Sequence, residues 1–249
     1  MAQTMQTENR PAPRRKRHGS ALKYLGALLA VALLVFVGAR LKGWQEQRLE
    51  SRTVVLVNPW NYMDDTGYKP HLTNVGGGMK LDRSCAAKLK SMLADCRAAG
   101  YEPLLLSAYR DREEQEQLFA RQVQRLIDGG ADPEHAEDLA AETVARPGSS
   151  EHELGLAVDI VDGTHPATDD TQERTGTQQW LRENAWRYGF ILRYPEDASD
   201  LTGAPYEPWH YRYVGEDTAW QIYSLGITLE EYSSLFYNEE AEIVFDEAE

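Results

Sequence analysis

The sequence predicts a single α+β domain in which helices and strands share one hydrophobic core. Segments with helical and with strand periodicity alternate along the central part of the chain. Two late strand-like segments, 189–194 and 209–214, are close enough in sequence to pair antiparallel, which favours α+β over a doubly wound parallel sheet. About 175 to 190 residues remain once both ends are set aside, a length that suits one domain.

The domain is expected to begin with a short strand and a long loop. Residues 53–57, TVVLV, are β-branched and apolar, which indicates a strand. Residues 58–80 contain Asn, Pro and Tyr together with Gly76-Gly77-Gly78, and we expect them to form a loop. Asp82 can cap the helix that follows, and Gly100 can end it.

The next segments predict one strand and two helices. Residues 103–108, PLLLSA, are expected to form a strand. Residues 111–127 predict a helix with a polar face, and Ala136–Ala145 a second, shorter one. Pro147 and Gly148 should break that second helix.

The last part of the domain predicts three strands and two helices. Residues 154–161, LGLAVDIV, alternate in the manner of a strand, and 177–188 predict a helix. Strands are expected at 189–194 and 209–214, and a last helix at 216–226. There is no internal repeat.

The N-terminal residues predict a membrane anchor. Residues 25–39 carry no charge, and the apolar stretch begins near Ala21, so about 19 residues are available to cross a bilayer. The basic residues before it mark the cytoplasmic side, which puts the rest of the chain outside the membrane. A signal peptide cleaved after Val37-Gly38-Ala39, giving a secreted protein, is the main alternative, and a buried core helix is another.

These patterns divide the chain into five parts. We expect a basic cytoplasmic tail at 1–20, a transmembrane anchor at 21–39, a linker at 40–52, the main folded domain at 53–232 and an acidic tail at 233–249.

Charge is distributed unevenly. Residues 1–39 carry a net charge of +5 in a chain whose total is −14, so the remaining residues carry −19. Nucleic acid is repelled by so acidic a surface and is therefore excluded as a partner.

The two cysteines are expected to be buried thiols. Cys85 and Cys96 share one apolar stripe of the first predicted helix with Leu89 and Met92. They would lie about 16 Å apart along its axis, whereas a disulfide needs Cα atoms within about 7 Å.

Three potential metal ligands occur in two short segments. His152 and Asp159 lie in SEHELGLAVD, and His210 ends EPWH. Two histidines and one carboxylate are a common ligand set for a catalytic Zn²⁺, which keeps one position open. Glu207, three residues before His210, could act as general base and acid, and Arg110 could stabilise a developing oxyanion.

Spacing alone leaves other interpretations open. Asp159 is a charge within an apolar strand, so it must be paired or bound to metal, but its partner could be an arginine. Arg110 could form a surface ion pair. The four other histidines lie in polar or loop segments and are expected at the surface: His18, His71, His135 and His165.

The arrangement Ser-x-His-x2-Gly-x-Ala-x-Asp at 150–159, followed by Glu-x2-His at 207–210, resembles the VanY-like D-alanyl-D-alanine carboxypeptidases, which are zinc peptidases. The resemblance covers nearly all of residues 54–232. Further matching segments are LVNPWN at 56–61, YKP at 68–70, SAYR at 107–110, ENAWRYGFILRYPE at 183–196, TGAPYEPWHYRYVG at 202–215 and TLEEY at 228–232.

The resemblance implies a role for each of these residues. It makes His152, Asp159 and His210 the ligands of one Zn²⁺, Glu207 the general base and acid, and Arg110 the group that polarises the scissile carbonyl. Ser150 would receive the terminal carboxylate of the substrate, and Gln115 and Trp209 match pocket positions.

The resemblance also implies the fold and the reaction. The zinc site would lie on a central antiparallel sheet with helices packed around it. The enzyme would remove the C-terminal D-alanine from peptidoglycan stem peptides. An L,D-carboxypeptidase, a D,D-dipeptidase or an endopeptidase on the same site are alternatives, and a non-catalytic wall-binding module stabilised by zinc is a further one.

Overall fold

The computed structural model describes residues 52–236, which fall within one unit of the chain. These residues contain a two-stranded and a four-stranded sheet. In chain order the strands are β1 (Leu72–Gly76), β2 (Met79–Asp82), β3 (Pro103–Ser107), β4 (Ala157–Asp162), β5 (Phe190–Leu192) and β6 (His210–Tyr213). β1 and β2 form a hairpin, and the larger sheet has the order β3-β4-β6-β5 with every neighbouring pair antiparallel.

Helices pack against both sheets. In chain order the α-helices are α1 (Arg83–Ala98), α2 (Arg112–Asp128), α3 (Ala136–Ala141), α4 (Gly176–Asn184), α5 (Ser199–Thr202), α6 (Glu216–Leu225) and α7 (Leu229–Phe236). Asp82 caps α1 by accepting from the Ser84 N–H, and Asp111 forms a reciprocal capping box with Glu114 at the start of α2. These caps satisfy backbone donors that have no partner within the helix.

The main core lies between one face of the sheet and α1. Val158 and Ile160 of β4 and Tyr211 of β6 pack there with apolar side chains of α1 such as Leu89 and Met92. Burying a side chain of this size stabilises a fold by about 1.5 to 3 kcal/mol. Because side chains alternate along a strand, this packing turns Asp159 of β4 towards the opposite face.

The α+β class and the antiparallel sheet predicted from the sequence are confirmed. The helices expected at 82–99 and 111–127 and the strand at 103–108 are found within a few residues of their predicted limits. The helix expected at 177–188 is divided into α4 and a 3₁₀ turn, Ala185–Tyr188.

Two regions contain a strand or helix that the sequence did not predict: the expected loop at 58–80 and the end of the domain. Residues 58–80, expected to form a loop, contain β1 and the start of β2; the hairpin turns at three glycines that all have positive φ, Gly76, Gly77 and Gly78. The helix at 216–226 is not the last, because α7 follows it and continues through the boundary expected at residue 232. Glycine runs fit both loops and hairpin turns, which is why the sequence pattern did not distinguish them.

The prediction of a strand at 53–57 was wrong. Although these residues have high strand propensity, two of their carbonyl groups, those of Thr53 and Val55, accept hydrogen bonds from the Arg212 guanidinium at 2.9 and 2.7 Å. The segment contributes Val54 and Val57 to the core without joining a sheet. A buried arginine here replaces a neighbouring strand as hydrogen-bond donor.

Both cysteines are free and buried, as predicted. The membrane anchor expected at 21–39, the basic tail before it and the linker to residue 51 lie outside the described residues, as does the acidic tail from residue 237. Among residues 52–236, none of the helices has the length and apolar character needed to span a bilayer.

Candidate metal centre

Two of the predicted metal ligands are opposite each other on neighbouring strands. Asp159 of β4 and His210 of β6 are Cα partners in the antiparallel register. Their side chains leave the same face of the sheet, and His210 Nδ1 lies 3.1 Å from Asp159 Oδ1. The strand pairing therefore brings together two ligands that are far apart in the sequence.

The third ligand comes from a short turn that leads into β4. His152 lies in the 3₁₀ turn Glu151–Leu154, which Gly155 ends in the left-handed conformation at φ 67°. A Cβ at Gly155 would lie 3.2 Å from the backbone nitrogen of Asp82, so the position favours glycine for both conformation and space. This tight turn places His152 Nε2 3.3 Å from Asp159 Oδ2.

The proton on His152 is fixed by its surroundings. His152 Nδ1 lies 2.6 Å from the carbonyl oxygen of Ala108, which can only accept, so Nδ1 must donate. The lone pair of Nε2 is then directed at the site. A backbone carbonyl that orients a histidine in this way is a common feature of metal sites.

The three side chains meet the requirements of a zinc site. One ligand atom from each of His152, Asp159 and His210 lies within 4.8 Å of the others. Within residues 52–236, no further His, Cys, Asp or Glu joins this group as a fourth ligand. Two nitrogens and one carboxylate with an open position fit a catalytic Zn²⁺, whereas structural zinc sites are closed by four protein ligands.

Glu207 lies beside the ligands. Its Oε2 is 3.6 Å from His210 Nδ1, and the His210 N–H donates to its backbone carbonyl. Burial raises the pKa of Glu207 to about 7, an effect that nearby His210 and Arg110 oppose. A carboxyl group with a pKa near neutrality can both accept and return a proton at physiological pH.

The pKa values of the ligands reflect their mutual contacts. Burial alone would lower the pKa of His210, but its contacts with the carboxylates of Asp159 and Glu151 raise that pKa to about 9. Burial would raise the pKa of Asp159, and contacts with His152 and His210 lower it instead. Burial and Arg110 lower the pKa of His152. These effects keep Asp159 ionised, and zinc binding would displace the proton that the raised pKa leaves on His210.

All eight residues singled out in the sequence contribute to the wall of one cavity of about 330 Å³. Besides the three ligands and Glu207, they are Arg110, Gln115, Ser150 and Trp209. Arg110 follows β3, Gln115 lies on α2 and Ser150 immediately precedes the turn that carries His152. The site is therefore assembled from separate parts of the chain around the strand pair β4–β6.

Several polar atoms in this cavity are not engaged by the protein. Gln115 is buried and donates from Nε2 to the Ala145 carbonyl at 2.7 Å, while its Oε1 has no hydrogen-bond partner among the described residues. Arg110 Nε is likewise buried without a hydrogen-bond partner there. Unpartnered groups of this kind are costly unless a ligand or water satisfies them.

Sequence reasoning missed two residues that contact His210. The ring of Tyr194, which follows β5, lies 4.8 Å from the His210 ring. Glu151, directly before His152, places Oε2 3.5 Å from His210 Nε2. A glutamate next to a histidine, as at Glu151, is common at protein surfaces. So is a tyrosine next to a proline, as at Tyr194. The sequence therefore gave no reason to assign either residue to the site.

Comparison with protein families gives a match to the VanY family, described as D-alanyl-D-alanine carboxypeptidase, over residues 78–216. A curated relative, the D-alanyl-D-alanine carboxypeptidase of Enterococcus faecalis, is 39% identical over 181 residues. That alignment includes 72% of this chain and spans 65% of the length of the relative.

Two solved structures are similar in fold. A vancomycin-resistance D,D-pentapeptidase VanY from a VanB-type cassette, in complex with Zn(II), is 38% identical with a TM-score of 0.65, covering 73% of this chain and 98% of that one. The LD-carboxypeptidase LdcB, whose structure concerns peptidoglycan recognition, is 33% identical with a TM-score of 0.58. The match covers 72% of this chain and 84% of that one.

Proposed function

Because this chain belongs to the VanY family of D-alanyl-D-alanine carboxypeptidases, we propose that it is a zinc-dependent D,D-carboxypeptidase that removes the C-terminal D-alanine from peptidoglycan stem peptides. The observation that carries the proposal is the group His152, Asp159 and His210 beside the buried carboxyl group of Glu207. A bound Zn²⁺ lowers the pKa of water from 15.7 to about 7 and polarises a carbonyl oxygen.

Glu207 is the proposed proton carrier. Its carboxylate takes a proton from the attacking water and delivers it to the amine of the departing D-alanine. Burial raises the pKa of Glu207, which favours the uptake of a proton by its carboxylate. Since its backbone is tied to His210 and to the Tyr194 carbonyl, the carboxyl group is held at the metal side of the cavity.

Arg110 and Ser150 are proposed to bind two negatively charged groups of the substrate, the developing oxyanion and the terminal carboxylate. Arg110 keeps its charge although burial lowers its pKa, because Asp159 and Glu207 oppose that effect. Its guanidinium would stabilise the oxyanion that forms as the peptide carbonyl is attacked. The Ser150 hydroxyl would receive the terminal carboxylate. The unpartnered Gln115 Oε1 would accept an N–H of the peptide, with Trp209 as a wall of the pocket.

The reaction is tested by the products from defined peptides. The purified, zinc-loaded full chain is incubated with a stem pentapeptide ending in D-alanyl-D-alanine, and products are identified by mass spectrometry. We expect the tetrapeptide and free D-alanine in equal amounts, and strongly reduced turnover by Glu207→Gln. If the wild-type protein releases neither product, the assignment fails.

An L,D-carboxypeptidase is the second candidate, and the similarity to LdcB favours it. It would act on the tetrapeptide and leave the tripeptide, using the same ligands and Glu207. Parallel assays with penta-, tetra- and dipeptides separate the candidates, because the preferred substrate is the one with the highest kcat/KM. Preference for the tetrapeptide would replace the D,D-assignment, and preference for D-alanyl-D-alanine itself would indicate a dipeptidase.

We also propose that residues 21–39 anchor the protein in the cytoplasmic membrane with its catalytic domain outside. The uncharged stretch and the basic residues before it support this proposal. Membrane fractionation followed by protease treatment of intact spheroplasts tests it. Degradation of the domain from outside is expected, whereas recovery of a shortened protein in the medium would indicate signal cleavage.

A further inference from the structure

Glu151 is a carboxylate buried at the back of the metal centre. Its side chain has no exposed surface. One oxygen, Oε1, accepts from Arg193 Nε at 2.7 Å and from Arg212 Nη1 at 2.6 Å. The other, Oε2, faces His210 Nε2 at 3.5 Å. The residue therefore has one oxygen held by arginines and the other directed at a metal ligand.

The two facing atoms are otherwise unengaged. Within the described part of the chain, neither Glu151 Oε2 nor His210 Nε2 has a hydrogen-bond partner that meets normal geometry. The distance of 3.5 Å is at the long limit for an N–H···O bond. Hydrogen bonds at catalytic sites are often long in the unliganded protein and shorten when the site is filled.

The opposite side of the His210 ring is turned to the metal position. Nδ1 lies 3.1 Å from Asp159 Oδ1, so a metal on this nitrogen leaves the ring proton on Nε2. That proton then points at Glu151 Oε2. A carboxylate–histidine pair of this kind fixes the ring orientation and tautomer and strengthens the ligand.

We infer that Glu151 is a positioning residue that holds His210 with Nδ1 towards the metal and Nε2–H towards its own carboxylate. Arg193 and Arg212 keep Glu151 in place by binding its other oxygen. Arg193 is held in turn by Glu230, which accepts from Nη1 at 2.8 Å and from Nη2 at 2.5 Å. His152 has its own positioning group, the Ala108 carbonyl, so the two histidines are oriented independently.

The simpler interpretation is that Glu151 only neutralises two buried arginines. Such a role would affect the stability of the fold and leave zinc affinity unchanged. The chain offers a matched control in Glu230, which also neutralises Arg193 but, among the ion pairs of residues 52–236, forms none with His210. Glu151→Gln removes a fully buried negative charge and Glu230→Gln a partly buried one from the same network.

The test compares zinc affinity with stability in the full chain. Zinc dissociation constants are measured by competition with a chromogenic chelator, and unfolding of the metal-free proteins by urea titration. We expect Glu151→Gln to weaken zinc binding by about 10- to 100-fold, and Glu230→Gln to leave it within about threefold, although both lower stability. Equal zinc affinity in Glu151→Gln and the wild type would overturn the inference, and so would equal weakening in both variants.

A second measurement does not depend on a variant that folds. In the zinc-loaded wild-type protein labelled with ¹⁵N-histidine, NMR identifies which ring nitrogen of His210 carries the proton. A protonated Nε2 is expected, and ligation through Nε2 would overturn the inference.

The inference rests on the proposed zinc centre but not on the peptide bond that is cut. Failure of the wild-type protein to bind zinc would reject the proposed function together with it. If Glu151→Gln binds zinc as tightly as the wild type and His210 keeps the same protonated ring nitrogen, only the positioning role is rejected and the proposed function stands.

Discussion

Asp159 and His210 are cross-strand partners, and the contact between their side chains, 3.1 Å from Oδ1 to Nδ1, follows from the register of β4 and β6. A shift of that register by one residue would turn one of the two side chains into the core. The apolar residues on the other face, such as Val158 and Tyr211, oppose such a shift because they would become exposed. The packing of the core thus also maintains the metal site.

Removal of a ligand should abolish tight zinc binding. We expect Asp159→Ala and His210→Ala to bind less than 0.1 equivalent of zinc after dialysis, because two remaining side chains no longer define a tetrahedral site. Metal content is measured by inductively coupled plasma mass spectrometry. His165→Ala, which changes an exposed histidine, should retain one equivalent. A full equivalent in both ligand variants would contradict the assignment.

Glu207→Gln should separate chemistry from metal binding. The amide keeps the shape of the side chain but accepts no proton from water, so we expect kcat to fall by about 10²- to 10⁴-fold. Zinc content should not change, because Glu207 is not one of the three proposed ligands. Glu196→Gln, an exposed glutamate close in sequence, is the control and should keep normal kcat. Normal turnover in Glu207→Gln would remove this residue from the mechanism.

Arg110→Lys should reduce turnover although it preserves the charge. Lysine lacks the planar fork of the guanidinium, and loss of one donor to a developing oxyanion costs about 10²- to 10³-fold in kcat. Steady-state kinetics with the pentapeptide provide the measurement. Arg121→Lys, at an exposed position of α2, should behave as the wild type. Equal kcat in the Arg110 variant would argue against a role in the transition state.

The buried ion pairs that Glu151 forms with Arg193 and Arg212 should contribute strongly to the stability of the fold. Arg212 has no exposed side-chain surface and pairs with Glu151, so Arg212→Met leaves a buried carboxylate less compensated. We expect a loss of about 3 to 5 kcal/mol in the free energy of unfolding, measured by urea titration. Lys88→Met breaks an exposed pair with Glu216 and should cost at most about 1 kcal/mol. Similar losses in the two variants would disagree with this expectation.

The two thiols should be unreactive in the native protein. Burial raises the pKa of Cys85 far above its usual range and that of Cys96 to about 11. Because the thiolate is the reactive form, the rate of modification should stay low from pH 7 to 9. Titration with a thiol-specific chromogenic reagent should find both groups only after denaturation. Rapid native reaction at pH 8 would show that one thiol is accessible.

Local sequence patterns were sufficient for several elements. Asp82, recognised as a cap in the sequence, defined the start of α1, because a cap satisfies backbone donors over only a few residues. The strand prediction at 53–57 was wrong because two carbonyl groups of this segment accept hydrogen bonds from Arg212, which is 159 residues away from Thr53 in the sequence. Hydrogen bonds over such distances leave no trace in local periodicity.

The sequence by itself determined the class of the fold. It also identified His152, Asp159, His210 and Glu207 as site residues, because their types suit a zinc site and the segments around them resemble a zinc peptidase family. Only the tertiary structure decided how these groups meet. The β4–β6 register pairs Asp159 with His210, and a buried network places Glu151 behind the His210 ring. Both depend on contacts between distant segments, which are fixed when the core packs and not by the residues next to each group in the chain.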